Sequence, residues 1–238
     1  MAVNERELRN IKIDHYDPTK SGNTVCSIQY VNTLAGRGPL DDSCFDTECP
    51  VVHGFIVSIQ DWMPVAVLND RLLWKNILHD VVGSRVDGDS ELRRAKTLYR
   101  WALSVMPTLT PYIDEMYVSS KGAGWRTACQ DPHSVDRLTR MRPDAPDVSW
   151  GFVVEGCHDL REATLNWEEM TSAQVGARCG GAIGKLSNVA RVYSMNTVDS
   201  LKRSFDGSEN VLWWRNSAKP GEVLRDILSI QEGCQDEV

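Results

Sequence analysis

The chain has 238 residues, of which 42% are hydrophobic and 25% charged, the balance of an ordinary soluble globular protein. Lys and Arg number 26 against 33 Asp and Glu, giving a net charge of −7. These figures exclude a disordered polyelectrolyte, a collagen-like repeat and a small disulfide scaffold, and they argue against coating of duplex DNA by bulk positive charge.

At roughly 100–200 residues per domain, the length fits one large domain or two small ones. The first ten residues, MAVNERELRN, hold two Arg and two Glu and no apolar run, so no secretory leader is expected. The most apolar stretch, Pro50 to Gln60, is interrupted by His53 and Ser58 and is too short to span a bilayer. The expectation is a soluble protein without a membrane partner, cytoplasmic or part of a virion. Seven cysteines (Cys26, Cys44, Cys49, Cys129, Cys157, Cys179 and Cys234) form an odd set with no CxxC pair. They read as thiols in a reducing compartment rather than as disulfides or a structural zinc site. Eight tryptophans are expected to anchor the core.

Residues 14–50 are dense in turn chemistry: Asp17-Pro18, Ser21-Gly22, Gly38-Pro39 and Asp41-Asp42-Ser43. Residues 1–50 are read as an N-terminal arm, with one short strand over Thr24–Val31. Val52, Phe55, Ile56 and Ile59 recur at helical spacing, with Asp46 or Thr47 as the cap and Pro64 as the end. Leu68, Leu72, Ile77, Leu78 and Val81 continue the pattern to a stop at Gly83. A strong amphipathic helix starts at Asp89 or Ser90, runs through Ala95, Leu98 and Ala102, and ends at Pro107.

Pro111 opens a short helix. A loop is expected over Ser119–Gly124, then a helix from Asp131-Pro132 through Met141, broken by Pro143 and Pro146. Trp150–Val154 reads as a second strand. Asp159 to Glu162 has capping-box spacing and predicts a helix start. Helical patterns follow at Val189–Met195 and Val198–Phe205, and Pro220 begins a last helix through Ile230. The fold class is therefore mostly α: a compact multi-helix domain over 51–232, an arm, at most two short strands and a polar tail at 233–238. A weak boundary is placed near 143–148.

Gly180-Gly-Ala-Ile-Gly-Lys-Leu-Ser187 lacks the first glycine and the Ser or Thr after lysine that a phosphate loop needs, and reads as a close-packing turn. Asp41 to Asp46 reads as turn and cap chemistry. The remaining polar pattern is His53, then His79-Asp80, then Asp159 or Asp147. On helices such groups can converge on a divalent metal and generate a hydroxide nucleophile. The string Ile77-Leu-His-Asp-Val81, with His53 upstream, resembles the HD-domain phosphohydrolases. That resemblance implies a metal, such as Mn or Co, held by His53, His79, Asp80 and Asp159, and action on a nucleotide or other phosphate ester.

A second segment, Ser120-Lys-Gly-Ala-Gly-Trp-Arg-Thr127, is similar to a pattern close to SKGxGxRT in coat proteins of flexuous filamentous plant viruses of the closterovirus type. It covers eight residues, with six identities. The likeness implies a non-enzymatic helical subunit that self-assembles into a homo-oligomer and packages single-stranded RNA. Lys121 and Arg126 would then contact phosphate, and Trp125 would stack on a base.

Overall fold

The computed structural model of this chain describes residues 10–15, 24–37, 43–117, 119–131, 148–165, 169–196 and 209–231. They are mostly helical, and their only sheet is a two-residue parallel pairing of β1 (Lys12–Ile13) with β2 (Thr24–Val25). Side chains hold so short a pairing in place. Asn69 accepts from the Ile13 N–H at 2.9 Å and donates to its carbonyl at 2.6 Å, and Lys75 Nζ donates to the Ile11 carbonyl.

The strand expected over Thr24–Val31 becomes helical after two residues, and Cys26 is the reason. Its thiol accepts from the Gln29 N–H at 3.5 Å, and its own N–H donates to Gln29 Oε1 at 3.0 Å. This is a capping box with cysteine in the place of Ser or Thr. Helix α1 (Ser27–Leu34) follows and buries Ile28, Tyr30 and Val31, so part of the predicted arm belongs to the core.

Helix α2 (Pro50–Gln60) has proline in its first turn and buries the predicted stripe of Val52, Phe55, Ile56 and Ile59. Its cap is Cys49, not Asp46 or Thr47. The pattern from Leu68 to Gly83 is three pieces: a single turn at Val65–Leu68, a π-turn at Arg71–Lys75 and a 3₁₀ turn at Ile77–Val81. The Asp70 carboxylate accepts from the N–H groups of Leu72 and Leu73 at 3.0 and 3.2 Å, which starts a new turn mid-pattern. Gly83 ends the run at φ 81°.

Helix α3 (Gly88–Val105), capped by Asp87, buries Ala95, Leu98 and Ala102 as its periodicity predicts. Helix α4 (Thr110–Met116) carries Pro111 in its first turn. Ser119–Gln130, expected to begin as a loop, is helix α5. Helix α6 (Val148–Leu165) replaces the strand predicted at Trp150–Val154: Trp150, Val153, Cys157 and Leu160 are all buried, a helical period. Asp159 sits inside this helix and starts nothing.

Helix α7 (Ser172–Asn196) packs against α2, α6 and α3 and absorbs the supposed turn at Gly180–Ser187. Its glycines allow a close approach to α2. A Cβ on Gly176 would stand 2.3 Å from the Val51 carbonyl oxygen, and one on Gly180 would stand 2.8 Å from that of Phe55. Helix α8 (Glu209–Trp213) runs through a π-turn into α9 (Pro220–Ser229). Five of the eight tryptophans (Trp74, Trp125, Trp150, Trp213 and Trp214) are fully buried. No helix among the described residues is long and apolar enough to cross a membrane. The helices predicted after Asp131 and over Val198–Phe205, residues 143–147 of the weak boundary, and the tail lie outside the described residues.

Candidate metal centre

A tight turn enters α2. The Glu48 N–H donates to the Phe45 carbonyl at 2.9 Å, and the His53 N–H to the Cys49 carbonyl at 3.0 Å. The turn folds Glu48 back onto the first helical turn, where its Oε2 meets His53 Nδ1 at 3.1 Å. Cys44 opens the turn, its thiol 3.9 Å from the Glu48 carbonyl oxygen. One donor atom from each of Cys44, Glu48 and His53 lies within 4.8 Å of the other two, and no other such group of three occurs among the described residues.

Loop 82–87 holds the turn from behind. The Cys49 N–H donates to Ser84 Oγ at 3.1 Å, and the Arg85 N–H to the Thr47 carbonyl at 3.0 Å. Arg94, itself buried, donates from Nη1 to the Ser84 carbonyl at 2.6 Å and from Nη2 to the Ile230 carbonyl at 2.7 Å.

Glu48 is completely buried, and its Oε1 has no hydrogen-bond partner among the described residues. A buried carboxylate oxygen left bare costs free energy. Burial and the neighbouring Glu48 charge push the Cys44 thiol up to about 11, against a smaller opposing effect of Arg85. A thiol held there is not a neutral-pH nucleophile. A dication changes both terms: it offsets the bare carboxylate oxygen and stabilises the thiolate. Ligand distances of about 2.0–2.3 Å put the donors around a tetrahedral zinc roughly 3.3–3.7 Å apart, so a pair at the 4.8 Å limit would close by about 1 Å, while Glu48 Oε2 and His53 Nδ1, at 3.1 Å, are already that near.

The metal set expected from the HD-type resemblance is not brought together. His53 belongs to the cluster above. His79 turns its Nε2 to the Tyr30 hydroxyl at 3.1 Å, and Asp80 is exposed. Asp159 is taken up by Arg178 and Lys185, each at 2.7 Å, because two cations of α7 face it across the helix pair. Asp147 lies outside the described residues.

The three residues expected at RNA are engaged internally. Trp125 is fully buried and donates to Thr110 Oγ1 at 3.1 Å, so it has no free face on which a base could stack. Arg126 donates from Nη1 to both carboxylate oxygens of Asp114, at 2.6 and 2.7 Å. Lys121 lies over the rings of Tyr117 and Trp150, 4.7 and 4.9 Å from their centres.

Cys44 and Glu48 escape a reading that looks only for CxxC pairs and for histidines near aspartates. The available signal is the wider spacing Cys44-x4-Cys49-x3-His53 across a helix start. Comparison with protein-family models, with curated proteins and with solved structures finds no match to this chain.

Proposed function

We propose that this chain is a metal-binding helical protein whose centre is Cys44, Glu48 and His53, with zinc as the ion that best suits a thiolate, an imidazole and a carboxylate. One observation carries the reading: the fully buried Glu48 carboxylate has a bare oxygen beside a thiol and an imidazole. Zinc competition titration against a chromophoric chelator tests it. The expected result is one equivalent bound per chain, with affinity lowered more than about 100-fold in Cys44→Ser and in His53→Ala, beyond the usual effect of losing an outer-shell partner. Absence of stoichiometric binding by the wild type overturns it.

The thiol also fixes a pH dependence. Its folded-state pKa is raised to about 11, and the metal takes the thiolate. Binding therefore displaces a proton throughout the neutral range. Affinity should rise about tenfold per pH unit from this group alone, a slope that levels off only near pH 11. Titrations at pH 7 and pH 8 check it, and Cys44→Ser should remove that component of the slope.

A second reading, a self-assembling coat-type subunit around single-stranded RNA, keeps the eight-residue likeness as its support. The Arg126 side chain remains 49% exposed on α5 despite its pairing with Asp114. That pairing runs through Nη1 alone, so RNA would compete with Asp114 for this one nitrogen. Light scattering coupled to size exclusion, with absorbance at 260 and 280 nm, tests this reading. A large particle that shrinks on nuclease treatment supports it, and a nucleic-acid-free monomer or dimer removes it.

A further inference from the structure

A cleft of about 490 Å³ lies between α3 and the segment that leads into α9, and none of the three proposed metal ligands lines it. Its size is that of a small-molecule site. The geometry points to a small zwitterion, an amino acid or dipeptide with an apolar group, held between Arg100 on one wall and Asp226 on the other. This inference does not depend on the metal-binding reading.

Two bonds fix the walls. Arg94 of α3 donates to the Ile230 carbonyl just past the end of α9, at 2.7 Å, and Trp101, about two turns further along α3, donates from Nε1 to the Ala218 carbonyl just before α9 begins, at 2.8 Å. The walls therefore run antiparallel. Arg100 adjoins the Trp101 bond and Asp226 lies one turn before Ile230, so the two stand on opposite walls and at different heights. Between them the floor is apolar: Val105, Ala218 and Val223 are buried, and the half-buried Trp101 indole is fixed by its bond to Ala218 and by an edge-on contact with Phe55, ring centres 5.5 Å apart.

Charge selects the ligand. Four charged side chains line the cleft, and Lys219 and Glu222 are already paired with each other at 3.1 Å. The side chains of Arg100 and Asp226 make no hydrogen bond or ion pair among the described residues, with each other or with a neighbour. One positive and one negative group thus remain uncommitted across a single cleft. A simple anion would suit Arg100 and be repelled by Asp226, and a simple cation would meet the reverse. A molecule carrying both signs satisfies both, with its apolar group against Trp101 and Val223.

The backbone of Lys219 supports the same reading. It is the only residue other than glycine with a left-handed φ among the described residues, at φ 46° and ψ 53°. Glycine or asparagine normally takes that place after a helical turn, because a longer side chain is strained there. Strain of this kind collects at ligand sites. Here it places an ammonium beside Glu222, so that the α9 wall offers one carboxylate to a ligand rather than two.

Isothermal titration calorimetry on the full chain at low ionic strength tests the inference. The probes are L-phenylalanine and the dipeptide Phe-Ala, which separate their two charges by different distances. Phenethylamine and 3-phenylpropionate serve as single-charge controls. At least one zwitterion should bind saturably, one per chain, and both controls more weakly by about fivefold or more, the upper range for an exposed ion pair. Arg100→Gln should bring the zwitterion down to the affinity of the amine while leaving the amine unchanged. Asp226→Asn should do the converse with the carboxylate. Both side chains are exposed, so each variant should keep the wild-type thermal unfolding. Failure of both zwitterions to bind at millimolar concentration overturns the inference. So do controls that bind as well as the zwitterions, or zwitterion binding that neither substitution moves.

Discussion

Gly176→Ala lowers the stability of this protein by about 3 kcal/mol, the upper part of the range for an overpacked core, and Gly176→Val unfolds most of it. The added carbon would sit 2.3 Å from the Val51 carbonyl oxygen, and both partners are backbone atoms of helices. No side chain can turn aside, so α2 and α7 must separate. They meet in the middle of the core, with Val51, Val52, Phe55 and Ile59 on one side and Val175, Cys179 and Ile183 on the other. Separation therefore loosens packing along the whole contact. A control lies in the same helix. A Cβ on Gly181 has only Ser58 Cβ nearby, at 3.9 Å. Gly181→Ala should gain up to about 1 kcal/mol from helix propensity. Urea denaturation of the two variants beside the wild type checks both signs. Equal effects at 176 and 181 would contradict the close approach.

The second large effect is expected at Arg94. Its guanidinium is buried and bonds the carbonyls of Ser84 and Ile230, residues far apart in sequence. Arg94→Met keeps much of the apolar bulk and removes both donors. Two carbonyls then lose their partner, which costs about 2–4 kcal/mol in total. Denaturation measures the loss, and a change below about 0.5 kcal/mol, the range of ordinary surface substitutions, would contradict it. Because Ser84 also receives the Cys49 N–H, the same variant should weaken zinc binding by roughly tenfold, as a lost outer-shell support does.

Much of the fold is legible in periodicity. The stripes on α2 and α3 and the prolines that open α4 and α9 lie where the residue pattern puts them, because burial of an apolar stripe and the fixed φ of proline are local effects. The failures share a cause too. Trp150–Val154 reads as a strand because a five-residue apolar run has no period of its own; only the later Cys157 and Leu160 reveal the helix. Gly180 and its neighbours read as a turn because glycine marks both turns and close helix contacts, and sequence alone does not say which. Asp159 has the spacing of a cap, yet its partners Arg178 and Lys185 come from another helix.

The centre was half legible. His53 stands out in an apolar helix, but its companions lie in a turn five and nine residues earlier. Turn residues carry no periodicity to announce them. Trp125 shows the opposite error: a motif match suggested an exposed ring where packing demanded a buried one.

Helix α2 meets both α7 and the turn from Cys44 to Cys49, and this bears on which of the proposed ligands is free to adjust. Gly54, the residue after His53, faces α7 so closely that a Cβ would meet the Ala173 carbonyl oxygen at 2.5 Å. Consecutive residues point about 100° apart around a helix. This close approach resists rotation of α2 about its axis, and the imidazole itself is directed by its Nδ1 contact with Glu48 Oε2 at 3.1 Å. Sliding is blocked at the other end, where Trp62 lies on Gly184. With the His53 backbone held in this way, more of the entropy lost on taking up an ion should fall on the turn from Cys44 to Cys49. Affinity at this centre should be tuned by residues that stiffen or loosen that turn, far more than by anything done to the helix.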